Sequence, residues 1–148
     1  MTATYDGAVE AIKAKMSAGF NAAPVAFQNS DPPANPWPPA DGSAFVYVEV
    51  LSTQSKPYAC GTPGKAIWRT LGLIHAHVHV GINAGDQLAQ QYARAIGDVF
   101  RNQRFYNDEP PNYLWTIAPQ TDGGGPADNY AGYWRVTATI NFELYLQG

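Results

Sequence analysis

Residues 133–146 read YWRVTATINFELYL, and the alternation of their side chains decides the fold. Trp134, Val136, Ala138, Ile140, Phe142, Leu144 and Leu146 hold the even positions, while Tyr133, Arg135, Thr137, Thr139, Asn141, Glu143 and Tyr145 hold the odd ones. Successive strand residues point to opposite faces, so this pattern predicts one long strand with an apolar face toward a core. Residues 67–80, IWRTLGLIHAHVHV, repeat it with Trp68, Ile74, Ala76, Val78 and Val80 on the apolar side. Gly72 breaks that side and predicts a bulge or bend. At about 3.3 Å per residue each stretch spans roughly 45 Å, longer than the body of a small domain needs. A projecting strand suggests assembly.

Outward from these strands, Tyr5, Val9, Ile12 and Met16 form the stripe of an amphipathic helix with Thr4 as N-cap and Gly19 as stop. Pro24 to Gln28 reads as a short strand, and the proline-dense run NSDPPANPWPPADG reads as turns or polyproline II. Trp37 within it is expected to anchor the segment to its own body. Phe45 to Leu51 alternates as a β-branched strand, and STQSKPYACGTPGKA, residues 52–66, reads as a long protruding loop. After Gly81 a second helix is predicted, capped by Asn83, with Leu88, Tyr92, Ala95, Ile96, Val99 and Phe100 on its apolar stripe. NDEPPN then reads as a turn, Leu114 to Ala118 as a short strand, and QTDGGGPADNYAG as a glycine-rich loop. The order α-β-β-β-α-β-β over one domain, residues 1–148, predicts an α+β fold: an antiparallel or mixed sheet of long strands with two helices packed on one face.

Composition narrows the function. Nine Lys and Arg against twelve Asp and Glu give a net charge of −3 with no basic run, which argues against tight nucleic-acid binding. Cys60 is the only cysteine, so no internal disulfide forms. The opening MTATYDGAVEAIKAKM lacks the apolar run of a signal peptide, and no segment reaches the eighteen or so apolar residues of a membrane span. A soluble chain made inside the cell is expected. Charged residues are 14% of the chain, against about 25% in typical domains, and subunit interfaces are one reason for such a surface.

His75, His77 and His79 share one strand face about 6.5–7 Å apart, and two of them with a ligand from another strand are a weak candidate metal site. The competing reading is a half-polar sheet face that continues Arg69. No Gly-x-Ser-x-Gly elbow occurs, Asp108 and Glu109 sit in a proline-flanked turn, and the glycines at 123–125 lack the lysine and helix of a phosphate loop. No catalytic residue and no cofactor are predicted, and the chain reads as a non-enzyme. Trp68, Trp115 and Trp134 would line a small-ligand pocket only if the space between sheet and helices were roomy; plain core is the expected reading. Trp37, Tyr58 and Tyr130 are the candidate interface aromatics, from residue type and loop position.

The opening helix, then APVAFQN and a proline-rich segment, a Val-rich strand, HVHVGINAGDQLAQQYARAIGDVF and the closing GYWRVTATINFELYL together resemble the tail terminator proteins of long-tailed bacteriophages and gene transfer agents. The resemblance implies a structural virion subunit that forms a hexameric ring on the head-proximal end of the tail tube. There it would stop tube polymerisation and offer a joining surface to the head-completion or stopper protein. It implies localisation to the virion, and to host cytoplasm during assembly. Another head-tail joining protein, such as a stopper, and a histidine-based metal-binding module or enzyme are the alternatives. DNA is expected to pass through the ring without specific binding, because six copies at −3 each total −18 and repel the phosphate backbone.

Overall fold

The computed structural model describes residues 3–28, 30, 32–33, 36–39, 41–83, 85–106, 112–127 and 130–148. Among the described residues two helices, α1 (Tyr5–Gly19) and α2 (Gln87–Phe100), accompany seven strands. These are β1 (Val25–Phe27), β2 (Phe45–Ala59), β3 (Ile67–Gly81), β4 (Gln103–Phe105), β5 (Tyr113–Thr121), β6 (Gly125–Pro126) and β7 (Tyr133–Gln147). They form one mixed sheet in the order β1-β2-β3-β7-β5-β4, with β6 against the start of β7. Among the described residues only the β1–β2 pair is parallel. The fold is α+β, with both helices on one face of the sheet.

The alternation read from sequence sets the layers. In register across the centre, Val48 meets Ala76 and Ala76 meets Ala138, while Val46, Val78 and Val136 form the neighbouring row. These side chains are buried in one cluster with Ala8, Ile12 and Met16 of α1 and Ala89, Ala93, Ile96 and Phe100 of α2. Each buried Val, Ile, Leu or Phe contributes about 1.5–3 kcal/mol of transfer free energy, so this layer drives folding. Thr4 caps α1 as expected, its side chain accepting from the Gly7 amide at 3.1 Å.

Several expectations are corrected. Residues 52–59 are strand, not loop: β2 continues to Ala59 and pairs with β3 through Ala59↔Ile67, leaving only 60–66 as the connection. No apolar alternation betrayed this half of β2 because Ser52 to Tyr58 are exposed on both faces. Polar cross-strand contacts hold it instead, including Ser55 Oγ with Thr70 Oγ1 at 3.2 Å. Pro57 is tolerated because β2 is an edge strand here. Gly72 does mark an irregularity, although the extra residue, Thr53, lies on the partner strand. The helix α2 begins at Gln87 with Asp86 at its N-cap and no side-chain cap bond, while Asn83 has φ 66 and caps nothing. Its buried stripe is Ala89, Ala93, Ile96, Gly97 and Phe100, rotated from the expected one, so that Leu88 and Ala95 face outward. The small residues sit closest to the sheet: a Cβ on Gly97 would lie 3.0 Å from Pro119. The short β4 and β6 were not anticipated, and Asp108 and Glu109 lie outside the described residues.

Among the described residues no helix is long and apolar enough to cross a membrane.

Candidate functional site

The odd positions of β3 and β7, with the odd positions of β2 up to Leu51 and its even positions beyond the bulge at Thr53, point away from the helices and make a second sheet face, which no described helix covers. Register brings Phe45, His79 and Arg135 into one row, Tyr47, His77 and Thr137 into the next, and Glu49, His75 and Thr139 into a third. The histidines therefore do share a face, as alternation requires. Each has at least one ring nitrogen already engaged. His75 Nδ1 lies 3.1 Å from Thr139 Oγ1, and His77 lies 2.8 Å from Thr137 Oγ1 through Nδ1 and 3.3 Å from Glu49 Oε1 through Nε2. His79 Nδ1 donates to the His77 carbonyl at 3.1 Å, which fixes its tautomer. Among the described residues no three His, Cys, Asp or Glu side chains converge as a metal site would need.

His79 is 3% exposed and lies flat on Phe45, with ring centroids 4.5 Å apart and an interplanar angle of 6°. Trp37, Tyr130 and Tyr133 approach Phe45 edge-on at 4.8, 5.1 and 5.0 Å. This packing pushes the His79 pKa down to about 4, mainly because burial penalises the charged ring, with His77 and Arg135 adding to the effect. His77 is lowered too, again chiefly by burial and against the pull of Glu49. Both imidazoles are neutral at pH 7. Beside them Tyr47, Glu49, His77, His79, Tyr130 and Arg135 line an open cleft of about 350 Å³.

At the hairpin end of the same face, aromatic rings and guanidinium groups interleave across the strands. Tyr58 meets Tyr145 edge-on at 5.0 Å, and Tyr145 stacks with Tyr113 at 4.6 Å. Arg69 lies 5.6 Å over Tyr58, and Arg104 lies 5.0 and 5.3 Å over Tyr113 and Trp115. Burial, then a hydrogen bond to Glu143, push the Tyr145 phenol up to about 12, so it remains a donor. Tyr, Trp and Arg are the residue types enriched at protein interfaces.

The three candidate interface aromatics thus divide. Trp37 and Tyr130 pack on Phe45 as intramolecular anchors, and Tyr58, 58% exposed, stands on the hairpin. The tryptophans do not share a pocket. Trp115 lies on the uncovered face, Trp68 is at the hairpin end donating to the Gly148 carbonyl at 3.1 Å, and Trp134 is at the opposite end of the sheet. The Trp134 Nε1 is buried under Gly124 and has no acceptor among the described residues. Cys60 is exposed in the hairpin turn. The sequence reading missed the ladder of Arg69, Tyr113, Tyr145 and Arg104. Its one legible signal was period-two spacing, Tyr113 with Trp115 and Glu143 with Tyr145, but strand partners are not visible in a single sequence.

No family model and no curated protein matches the chain. A solved chain that carries no descriptive name is similar in structure, with a TM-score of 0.64 at 15% identity over 96% of each chain. At that identity the likeness is one of fold alone.

Proposed function

We propose that this chain is a structural subunit of a phage-like tail, assembling as a hexameric ring at the head-proximal end of the tail tube to end its growth and receive the head-joining protein. The observation that carries this reading is the open outer edge of β2. Beyond Val48, and the Gln28 contacts to Val48 and Val50, no described strand pairs with it, so backbone donors and acceptors from Ser52 to Ala59 face outward on a projecting hairpin. Unpaired edges invite pairing with another chain, and Lys56 and Pro57 are the residue types that blunt its indiscriminate form. The order of elements that resembles tail terminators supports the role. So does the engagement of every histidine inside the fold, which suits a scaffold rather than a reactive centre.

The test is tube growth. Tail-tube subunits from the same source are polymerised with and without the chain, and tube lengths are measured by negative-stain microscopy. Capping predicts short tubes whose length falls as the chain is added, with the chain at one end only. Lengths that do not change with saturating chain contradict the reading.

A further inference from the structure

The exposed large hydrophobic side chains among the described residues are four: Tyr58 at 58%, Trp68 at 40%, Ile82 at 47% and Leu88 at 43%. They fall into two pairs at opposite ends of the molecule. Tyr58 and Trp68 sit on the β2–β3 hairpin, while Ile82 follows β3 and Leu88 lies in the first turn of α2. Trp68 and Ile82 are separated by the length of β3, roughly 45 Å at about 3.3 Å per residue, so the two patches of one chain cannot meet.

Each patch has a matching shape and charge. At the far end Ile82, Asn83, Gly85, Asp86 and Trp134 line a hollow of about 380 Å³. A hollow of this volume has room for one aromatic side chain. The hairpin from Leu51 to Leu71 carries Lys56, Lys65 and Arg69 and no acidic residue. The described residues of 28–44, 81–92 and 120–134, at the other end, include aspartates and no lysine or arginine, and Arg135, next along β7, points to the opposite sheet face from Trp134. Among the described residues these aspartates are Asp41, Asp86 and Asp122, all exposed.

We infer that the basic, aromatic hairpin of one copy docks on the Ile82–Trp134 hollow and acidic rim of a second copy. Both halves of the complementary pair lie on this chain, and no other large exposed hydrophobic among the described residues competes for either, which favours a second copy over a different partner. The contact is heterologous, so a suitable rotation between copies closes a ring and any other gives a filament. The inference rests on the proposed role only in taking copies of the chain to assemble, and it goes further by naming the two patches.

Charge exchange tests it. The variants are Lys56→Glu with Lys65→Glu, and Asp86→Lys, where the native carboxylate makes no cap bond; Asp41 and Asp122 are spared because their carboxylates accept from the Ser43 amide and from the Gly124 and Thr137 amides. Sedimentation velocity at about 50 mM and about 300 mM salt reads assembly of each, and of their equimolar mixture. The wild-type chain is expected to assemble, and salt to weaken it at least about tenfold. Each variant alone presents like charges at both patches and stays monomeric, whereas the mixture regains assembly with the variants alternating in equal number by native mass spectrometry. Circular dichroism confirms folding, and the milder Tyr58→Ala and Leu88→Gln are each expected to weaken assembly without charge change. A charge variant that assembles like the wild type, or folded variants whose mixture stays monomeric, overturns the inference. A wild-type chain that is monomeric throughout also overturns it, and the tube-length measurement then judges the proposed role by itself.

Discussion

Replacing Gly72 by alanine probes how the long strands close over the core. Gly72 faces Phe142 across β3 and β7, and the Phe142 ring is 1% exposed. A Cβ at position 72 would lie 2.5 Å from Phe142 Cε1 and 2.6 Å from the Leu51 carbonyl oxygen. Neither neighbour can retreat freely, since one is a buried ring and the other is backbone of the adjacent strand. Overpacking of this kind costs about 1–3 kcal/mol. With both neighbours fixed the cost falls in the upper half of that range, and the restricted unfolded chain returns about 0.4–1 kcal/mol, so the net destabilisation is about 1–2.5 kcal/mol. For a chain near this size, that lowers Tm by roughly 2–10 °C. Urea unfolding followed by fluorescence measures it, with m unchanged if only the native state is strained. Phe142→Leu makes room for the methyl, so the double variant is expected to be no less stable than Phe142→Leu alone, a coupling of about 1 kcal/mol or more. An alanine variant as stable as the wild type, or strictly additive effects, would refute the close approach of ring to backbone.

Further predictions concern the buried polar groups and the glycine loop. With the His79 pKa at about 4 folded and 6.5 unfolded, the unfolded chain binds the extra proton between these values. Stability is therefore full above pH 6.5 and declines as pH falls toward 4, by up to about 3 kcal/mol. Urea midpoints across this range should slope less in His79→Gln, and an equal slope in the variant contradicts the assignment. Thr116, fully buried, donates to the Phe100 carbonyl at 2.6 Å where α2 ends; Thr116→Val should cost about 1–2 kcal/mol in the same assay, and a neutral result counts against that bond. Gly124 has φ +83, and a Cβ there would lie 2.6 Å from Trp134 Nε1. Gly124→Ala is accordingly expected to destabilise by about 1–3 kcal/mol and to alter Trp134 fluorescence, and an unchanged spectrum with unchanged stability excludes that packing.

Much of the fold was legible because half-buried strands announce themselves. Trp134 to Leu146 and Ile74 to Val80 alternate without ambiguity, and β3 and β7 stand where that pattern puts them. The outer half of β2 was illegible for the complementary reason: with both faces of Ser52 to Tyr58 in solvent, nothing selects apolar residues at alternate positions. Rotation of α2 escaped the sequence because Ala89, Ala93 and Gly97 pack by being small, whereas hydrophobicity pointed to Leu88 and Tyr92. At the site, alternation placed the three histidines on one face, but their partners Thr137, Thr139 and Glu49 come from other strands through register alone. Tyr58 was found as an interface candidate by type, and its neighbours Tyr145 and Arg69 required the pairing of β2, β3 and β7.

The most direct measurement of the central claim is end-on averaging of tail tubes mixed with the chain, imaged by cryo-electron microscopy. The account predicts a single sixfold ring of this chain at one end of each tube, with the β2 edge of every copy covered by a neighbour or by the tube. Tubes whose two ends are both bare at saturating chain, or a bound chain lacking sixfold order and leaving that edge open to solvent, would contradict it.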